Sequence, residues 1–158
     1  LLERVLEQAR DDLKSIDAGI ARVIKEDEEM RRKAEILRSM IGVGPVMTAN
    51  LLARLPELGQ VGRRPAALLC GVAPADRQSG KNRRPSRIAG GRDQLRPILH
   101  MVALAAIRSN PAITAFANRL SAAGKPRRLV IAACSRKIVV ILNAMLRDQT
   151  SWRNPKTA

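Results

Sequence analysis

Leu2, Leu6, Ala9, Leu13, Ile16, Ile20, Val23, Asp27, Met30, Ala34, Leu37 and Ile41 recur along the chain at alternating spacings of four and three. That is a heptad held from end to end of the first forty residues, with Asp27 its single polar position. Such a seam predicts one helix of about 38 residues, roughly 57 Å long at 1.5 Å per residue, paired as a coiled coil with another segment or chain. An aspartate inside the seam costs stability and fixes register or orientation.

Beyond the heptad the pattern shortens. Ile41-Gly42-Val43-Gly44-Pro45 reads as a tight turn, with Pro45 in the first turn of a helix that ends before Pro56. A short helix is predicted over 65–70 and stopped by Gly71. Asp93 is placed as the cap of a helix reaching about Arg108, with Pro97 near its start. Asn110 and Pro111 read as N-cap and first residue of a helix closed by Gly124. A last helix over 127–147 sets Val130, Ala133, Cys134, Ile138, Ile141 and Leu142 on one face. The segment after Asp148 reads as a polar, frayed tail. No strand is evident. The fold class is therefore all-α: a coiled-coil helix over 1–40, a compact helical domain over 41–148 containing a helix-hairpin-helix, and a tail over 149–158.

Composition agrees with helices. The apolar residues are aliphatic, and Phe116 and Trp152 are the only aromatics. That scarcity argues against single-strand binding by base stacking. The net charge of +15 is uneven. Residues 1–40 carry nine Lys/Arg against ten Asp/Glu, whereas the remainder carries twenty against Glu57, Asp76, Asp93 and Asp148. A body so basic points to a polyanionic partner, nucleic acid first. Cys70 and Cys134 sit in apolar runs and read as buried reduced thiols, and the single histidine, His100, excludes a histidine-built zinc site or a serine–histidine triad. No 18-residue apolar stretch or signal peptide is read, so no membrane partner is expected and the location is placed in the cytoplasm. The start at Leu1, already in helical register, reads as a piece of something longer.

Two segments carry candidate chemistry. At the Gly42–Gly44 corner, helix, GxG turn and helix form the pattern of a helix-hairpin-helix. There glycines let a DNA backbone approach, and amides at the second helix's N-terminus face phosphate. The second is RQSGKNRRPSRIAGGR, residues 77–92, whose Arg77, Lys81, Arg83, Arg84, Arg87 and Arg92 have one acid-free stretch to themselves. Guanidinium forks suit phosphodiester oxygens, and a serine hydroxyl in that field can attack phosphorus. On residue chemistry alone Ser79 and Ser86 are nearly equal candidates, and a solvated basic loop with incidental serines remains open.

The order IGVGPVMTANLLARLPELG, AALLCGVAPADRQSGKNRR, IAGGRDQLRPILHMVALAAIRSNP and GKPRRLVIAACSRKIVVILNAML resembles the C-terminal transposase domain of the IS-one-ten insertion-sequence family. The likeness covers about 36–147, and the heptad helix resembles the coiled coil that precedes this domain. The resemblance implies DNA transposition and recombination guided by an RNA encoded in the element. It also implies a RuvC-like domain with four acidic ligands for a divalent metal such as Mg, and a nucleophilic serine in an SG dipeptide after a GLAP-like turn. Gly71-Val72-Ala73-Pro74 and Ser79-Gly80 match those motifs, so Ser79 takes the implied role and Ser86 falls outside it. Arg83-Arg84-Pro85 stands where the family commonly has a glycine, and Val61 where it commonly has an aromatic. With four acids scattered over 41–158, no metal site or cofactor is expected in this chain, and the fragment is expected to be inactive alone. The implied setting is bacterial and nucleoid-associated, and the implied partners are DNA, the guide RNA and further copies of the chain through the N-terminal helix.

Two other readings share the same charge. One is a non-catalytic helix-hairpin-helix module on a coiled-coil stalk. The other is an RNA scaffold of ribosomal type, which has no evident use for so long a heptad.

Overall fold

The structure, a computed structural model, describes the backbone of residues 1–75, 78–79, 82–83, 87–88 and 90–153, and side chains over 1–73 and 90–153. Among these residues there are seven helices: α1 (Leu2–Glu26), α2 (Glu28–Ser39), α3 (Pro45–Arg54), α4 (Arg63–Leu69), α5 (Leu95–Ser109), α6 (Pro111–Ala122) and α7 (Arg127–Arg147). Four two-residue strands lie between α4 and α5: β1 (Pro74–Ala75), β2 (Gln78–Ser79), β3 (Asn82–Arg83) and β4 (Arg87–Ile88). The all-α expectation holds, and these short ladders are an addition the sequence did not reveal.

The heptad helix is not continuous. Asp27 leaves the helical region (φ −93°, ψ 116°), and its carboxylate accepts the Met30 N–H at 2.7 Å. Instead of entering a seam, Asp27 caps α2, with Glu28 and Glu29 in the first turn where the helix dipole favours acids. Arg31 then bridges Glu28 and Glu35 at 2.8 Å each. The heptad positions on the two sides of this break have separate fates. Ala34 and Leu37 are buried in the body, along with Ile36 and Met40. No residue of α1 is buried, and Leu2, Leu6, Leu13, Ile16, Ile20 and Val23 are all exposed.

The body is assembled around α7, which packs against α2, α4, α5 and α6 and contributes Val130, Cys134, Ile138, Val139 and Leu142 to the core. By length and composition α7 could cross a membrane, contrary to the reading of no such stretch, and α5 with α6 would do so only as a pair bent by 96°. More than half of α7's apolar window is already covered by the protein itself.

Two buried asparagines tie connections to helices. Asn143, on α7, accepts the Gly59 N–H and donates to the Val61 carbonyl, both at 2.8 Å. Asn110 caps α6 as its sequence position predicts, and also donates to the Ile41 carbonyl at 3.1 Å. The end of α6 follows the predicted glycine stop: Gly124 takes φ +75°, and the Lys125 N–H reaches the Leu120 carbonyl. α5 begins at Leu95, two residues after Asp93, with Gln94 rather than Asp93 as its N-cap and no side-chain cap. The chain after Asp148 is docked rather than frayed as far as it is described: Trp152 packs on the core, and its backbone N–H donates to Ser39 Oγ at 2.8 Å.

Asn143→Ala strands one donor and one acceptor at the Gly59–Val61 turn. It is expected to cost about 2 kcal/mol and to lower Tm by about 4–8 °C in thermal unfolding. An unchanged Tm would mean that the turn is held without α7.

Candidate nucleic-acid interface

The basic loop leaves the body through a neck of glycines. α4 stops at Cys70, and Gly71 takes φ +64° while its N–H and that of Val72 close back on the Leu68 and Ala67 carbonyls. The returning chain passes through Gly90 (φ +77°) and Gly91 (φ +81°), and the Arg92 N–H donates to the Leu69 carbonyl at 2.8 Å. Backbone meets backbone so closely that a Cβ on Gly91 would lie 2.6 Å from Gly71 Cα and 2.7 Å from the Leu68 oxygen. Only glycine fits, for φ and for space.

Two arginines lock this neck. Arg96, in the first turn of α5, donates from Nε to the Gly71 carbonyl and from Nη2 to the Gly90 carbonyl, each at 3.1 Å. Arg92 forms a two-pronged pair with Glu57, at 2.6 and 3.0 Å. The hydrogen bond from Arg92 holds the Glu57 carboxyl below its ordinary value of 4.5. The pair therefore contributes fully above that ordinary value and is lost as pH falls through the lowered folded one. Cys70 lies beneath, fully buried. Burial pushes its thiol up to about 12 against the opposing pull of the Arg92 charge, so it is a neutral core group and no nucleophile.

Above the neck, β1 pairs antiparallel with β4, Pro74 opposite Ile88 and Ala75 opposite Arg87. β2 pairs with β3, Gln78 opposite Arg83 and Ser79 opposite Asn82. The backbone of Ser79 thus belongs to the β2–β3 ladder, a two-stranded sheet separate from the β1–β4 ladder that adjoins the neck. The side chains of Ser79, Arg83 and Arg87, and the whole of Arg77, Lys81, Arg84 and Ser86, lie outside the described residues. Arg92 is described: it is engaged by Glu57 with its side chain about one-third exposed (34%). It also lines a recess of about 470 Å³ with Arg54, Asp93 and Gln94.

At the α2–α3 corner the two glycines separate. Gly42 (φ +99°) faces inward, and a Cβ there would lie 3.0–3.2 Å from Ala106 of α5. Its requirement is explained by packing. Gly44 has open space around it and stands as the N-cap of α3, with no side chain capping that end and Pro45 next. Of the two, Gly44 has the setting that an approaching backbone needs.

α5 connects the two places. Its Arg96 grips Gly71 in the neck, and its Ala106 meets Gly42 in the corner. Ten residues of helix put them about 15 Å apart. α3 spans the same gap, from the corner at Gly44 to Arg54 in the recess beside Arg92. The corner and the loop root are opposite ends of one two-helix face. Glu57 and Arg96, which hold the root, were missed in the sequence. The one available signal was that Glu57 is among only four acids beyond residue 40.

The chain matches the model of the Transposase IS116/IS110/IS902 family over residues 34–118, and it belongs to that family. Among curated proteins it is similar to a "Pilin gene-inverting protein" of Moraxella bovis, 27% identical over 142 residues, covering 87% of this chain and 44% of that protein. The protein of the same name from Moraxella lacunata has the same identity and coverage. It is also similar to the "Insertion element IS900 uncharacterized 42 kDa protein" of Mycobacterium paratuberculosis, 31% identical over 143 residues, covering 85% of this chain and 35% of that protein. The chain spans less than half the length of these relatives.

The glycines separate by experiment. Gly91→Ala is expected to destabilise by about 3 kcal/mol and to speed amide exchange at Arg92, because neither φ nor space admits a methyl group. Gly44→Ala is expected to stay within about 1 kcal/mol of the wild type. Equal Tm losses in thermal unfolding would refute this division of labour.

Proposed function

We propose that this chain binds a DNA backbone along the α3–α5 face and supplies Ser79 Oγ as the nucleophile for strand cleavage and exchange. One observation supports the reading above all: the loop that bears Ser79 and its basic neighbours is rooted in a neck fixed by Gly71, Gly91, Arg92–Glu57 and Arg96. A nucleophile must be held within a fraction of an ångström of its line of attack, and a rigid root serves that need. The Ser79 hydroxyl gives up its proton, an Oγ–P bond forms, and the P–O bond to the neighbouring sugar breaks, leaving a protonated sugar hydroxyl. The phosphoserine keeps the diester bond count constant, so a hydroxyl on a second strand reverses the step and frees Ser79. Arginines of the loop stabilise the charge that develops on the equatorial oxygens.

Among the described residues no three carboxylate, histidine or cysteine side chains come together, so they do not fit a metal ion, and no step is drawn through one. In this reading the metal, Mg among the divalent ions, belongs to a RuvC-like domain outside this sequence. The guide RNA is a second nucleic-acid partner, and copies of the chain associate through α1. The setting is the cytoplasm, at the nucleoid of a bacterial cell. A protein that only binds, holding DNA through the Gly44 corner on a helical stalk, is the reading left if Ser79 has no chemistry.

In the full-length transposase, Ser79→Ala is expected to abolish covalent protein–DNA adducts while DNA affinity stays within about threefold, since one neutral hydroxyl adds no counterion release. Adducts that survive the substitution would remove Ser79 from the mechanism and leave the binding reading.

A further inference from the structure

The exposed seam of α1 is set with charges that distinguish one way of pairing from the others. We infer that α1 pairs with α1 of a second copy in antiparallel orientation, with Leu13 opposite Ile16, Ala9 opposite Ile20 and Leu6 opposite Val23. This deepens the association through α1 put forward above and rests on it.

Three observations converge. First, the break at Asp27 and the burial of Ala34 and Leu37 confine the free seam to α1, Leu2–Glu26. Of the antiparallel registers that the heptad permits, this one overlaps two such helices from end to end, over about 37 Å. Second, Arg10 and Asp17 flank the seam on the same side, are exposed, and make no ion pair or hydrogen bond within the chain among the described residues. In this register each Arg10 faces Asp17 of the other copy, twice over, as two-fold symmetry requires. A slip of one heptad sets Arg10 against Arg10, and the opposite slip sets Asp17 against Asp17. Third, a parallel pair sets Asp12 against Asp17 of the other copy, twice, so like charges oppose that orientation. The antiparallel register leaves Asp12 opposite Gly19 instead. It also brings Leu6 of the second copy opposite Val23, at the mouth of an apolar groove of about 370 Å³ between α1 and α3, lined by Ile20, Val23, Ala49 and Leu52.

The test is the sign of a charge reversal, read as the dimer dissociation constant of the 158-residue chain in sedimentation equilibrium at low salt. Asp17→Arg is expected to weaken the dimer about tenfold by facing Arg10, and Arg10→Asp to weaken it similarly. The double reversal is expected to restore the wild-type value. Asp17→Arg that tightens the dimer, by meeting Asp12, overturns the orientation while leaving association intact. A wild-type chain that remains monomeric, with Leu13→Asp indistinguishable from it, overturns the association itself. Mixed Leu6→Cys and Val23→Cys chains give a second readout. They are expected to form the hetero-disulfide on oxidation, whereas a Val23→Cys homodimer crosslink would mean parallel helices. Cys70 and Cys134 are fully buried and do not compete.

Discussion

Closeness of backbone to backbone governs this molecule. At Gly59 against Leu146 and at Gly91 against Gly71 the separation leaves no room for a side chain, and at Gly42 against Ala106 a Cβ would fit only if its neighbours gave way. Each contact joins a connection to the flank of an element laid down much earlier or later in the chain. An aliphatic core of Leu, Ile, Val and Ala is adaptable and does not by itself dictate one arrangement of helices. The glycine contacts do, because each fixes a position to within a methyl group's radius. The asparagines act beside them: Asn143 holds the Gly59 turn from α7, and Asn110 holds the Gly42 corner from the start of α6.

These constraints meet along α5. Its N-terminal turn sits in the root of the basic loop, and its C-terminal turn receives the α2–α3 corner. A ligand along the α3–α5 face would touch both ends of one packed unit. The neck at Gly71 and Arg92 is thereby part of the packed body. The ion pair between Arg92 and Glu57 adds a long-range tie from that root to the turn after α3.

Much of this was legible in the sequence because it is local. Pro45, Asn110-Pro111 and Gly124 each carry their own stereochemical instruction, and the helices begin or end within about two residues of where those instructions put them. Asp27 shows where a local pattern misleads. Spacing alone makes it a seam position, but an aspartate followed by two glutamates is also a strong helix start, and that preference wins. The pairing of Arg92 with Glu57, 35 residues apart, leaves no trace in composition or period. Gly42 illustrates a subtler failure. GxG suggests an approaching ligand, yet half of the motif is consumed by a contact with α5 that only the fold creates. Ser79 was singled out by resemblance, since charge density alone serves Ser86 as well.

The docked C-terminal segment has an optical consequence. The chain has one tryptophan and no tyrosine, so Trp152 supplies nearly all of its near-ultraviolet emission. That indole packs on the core while its own backbone is fastened to Ser39 at the end of α2. The molecule thus carries a native fluorophore at the junction between its last described turn and the helix that leads out to the stalk, and its emission colour reports whether that junction is closed.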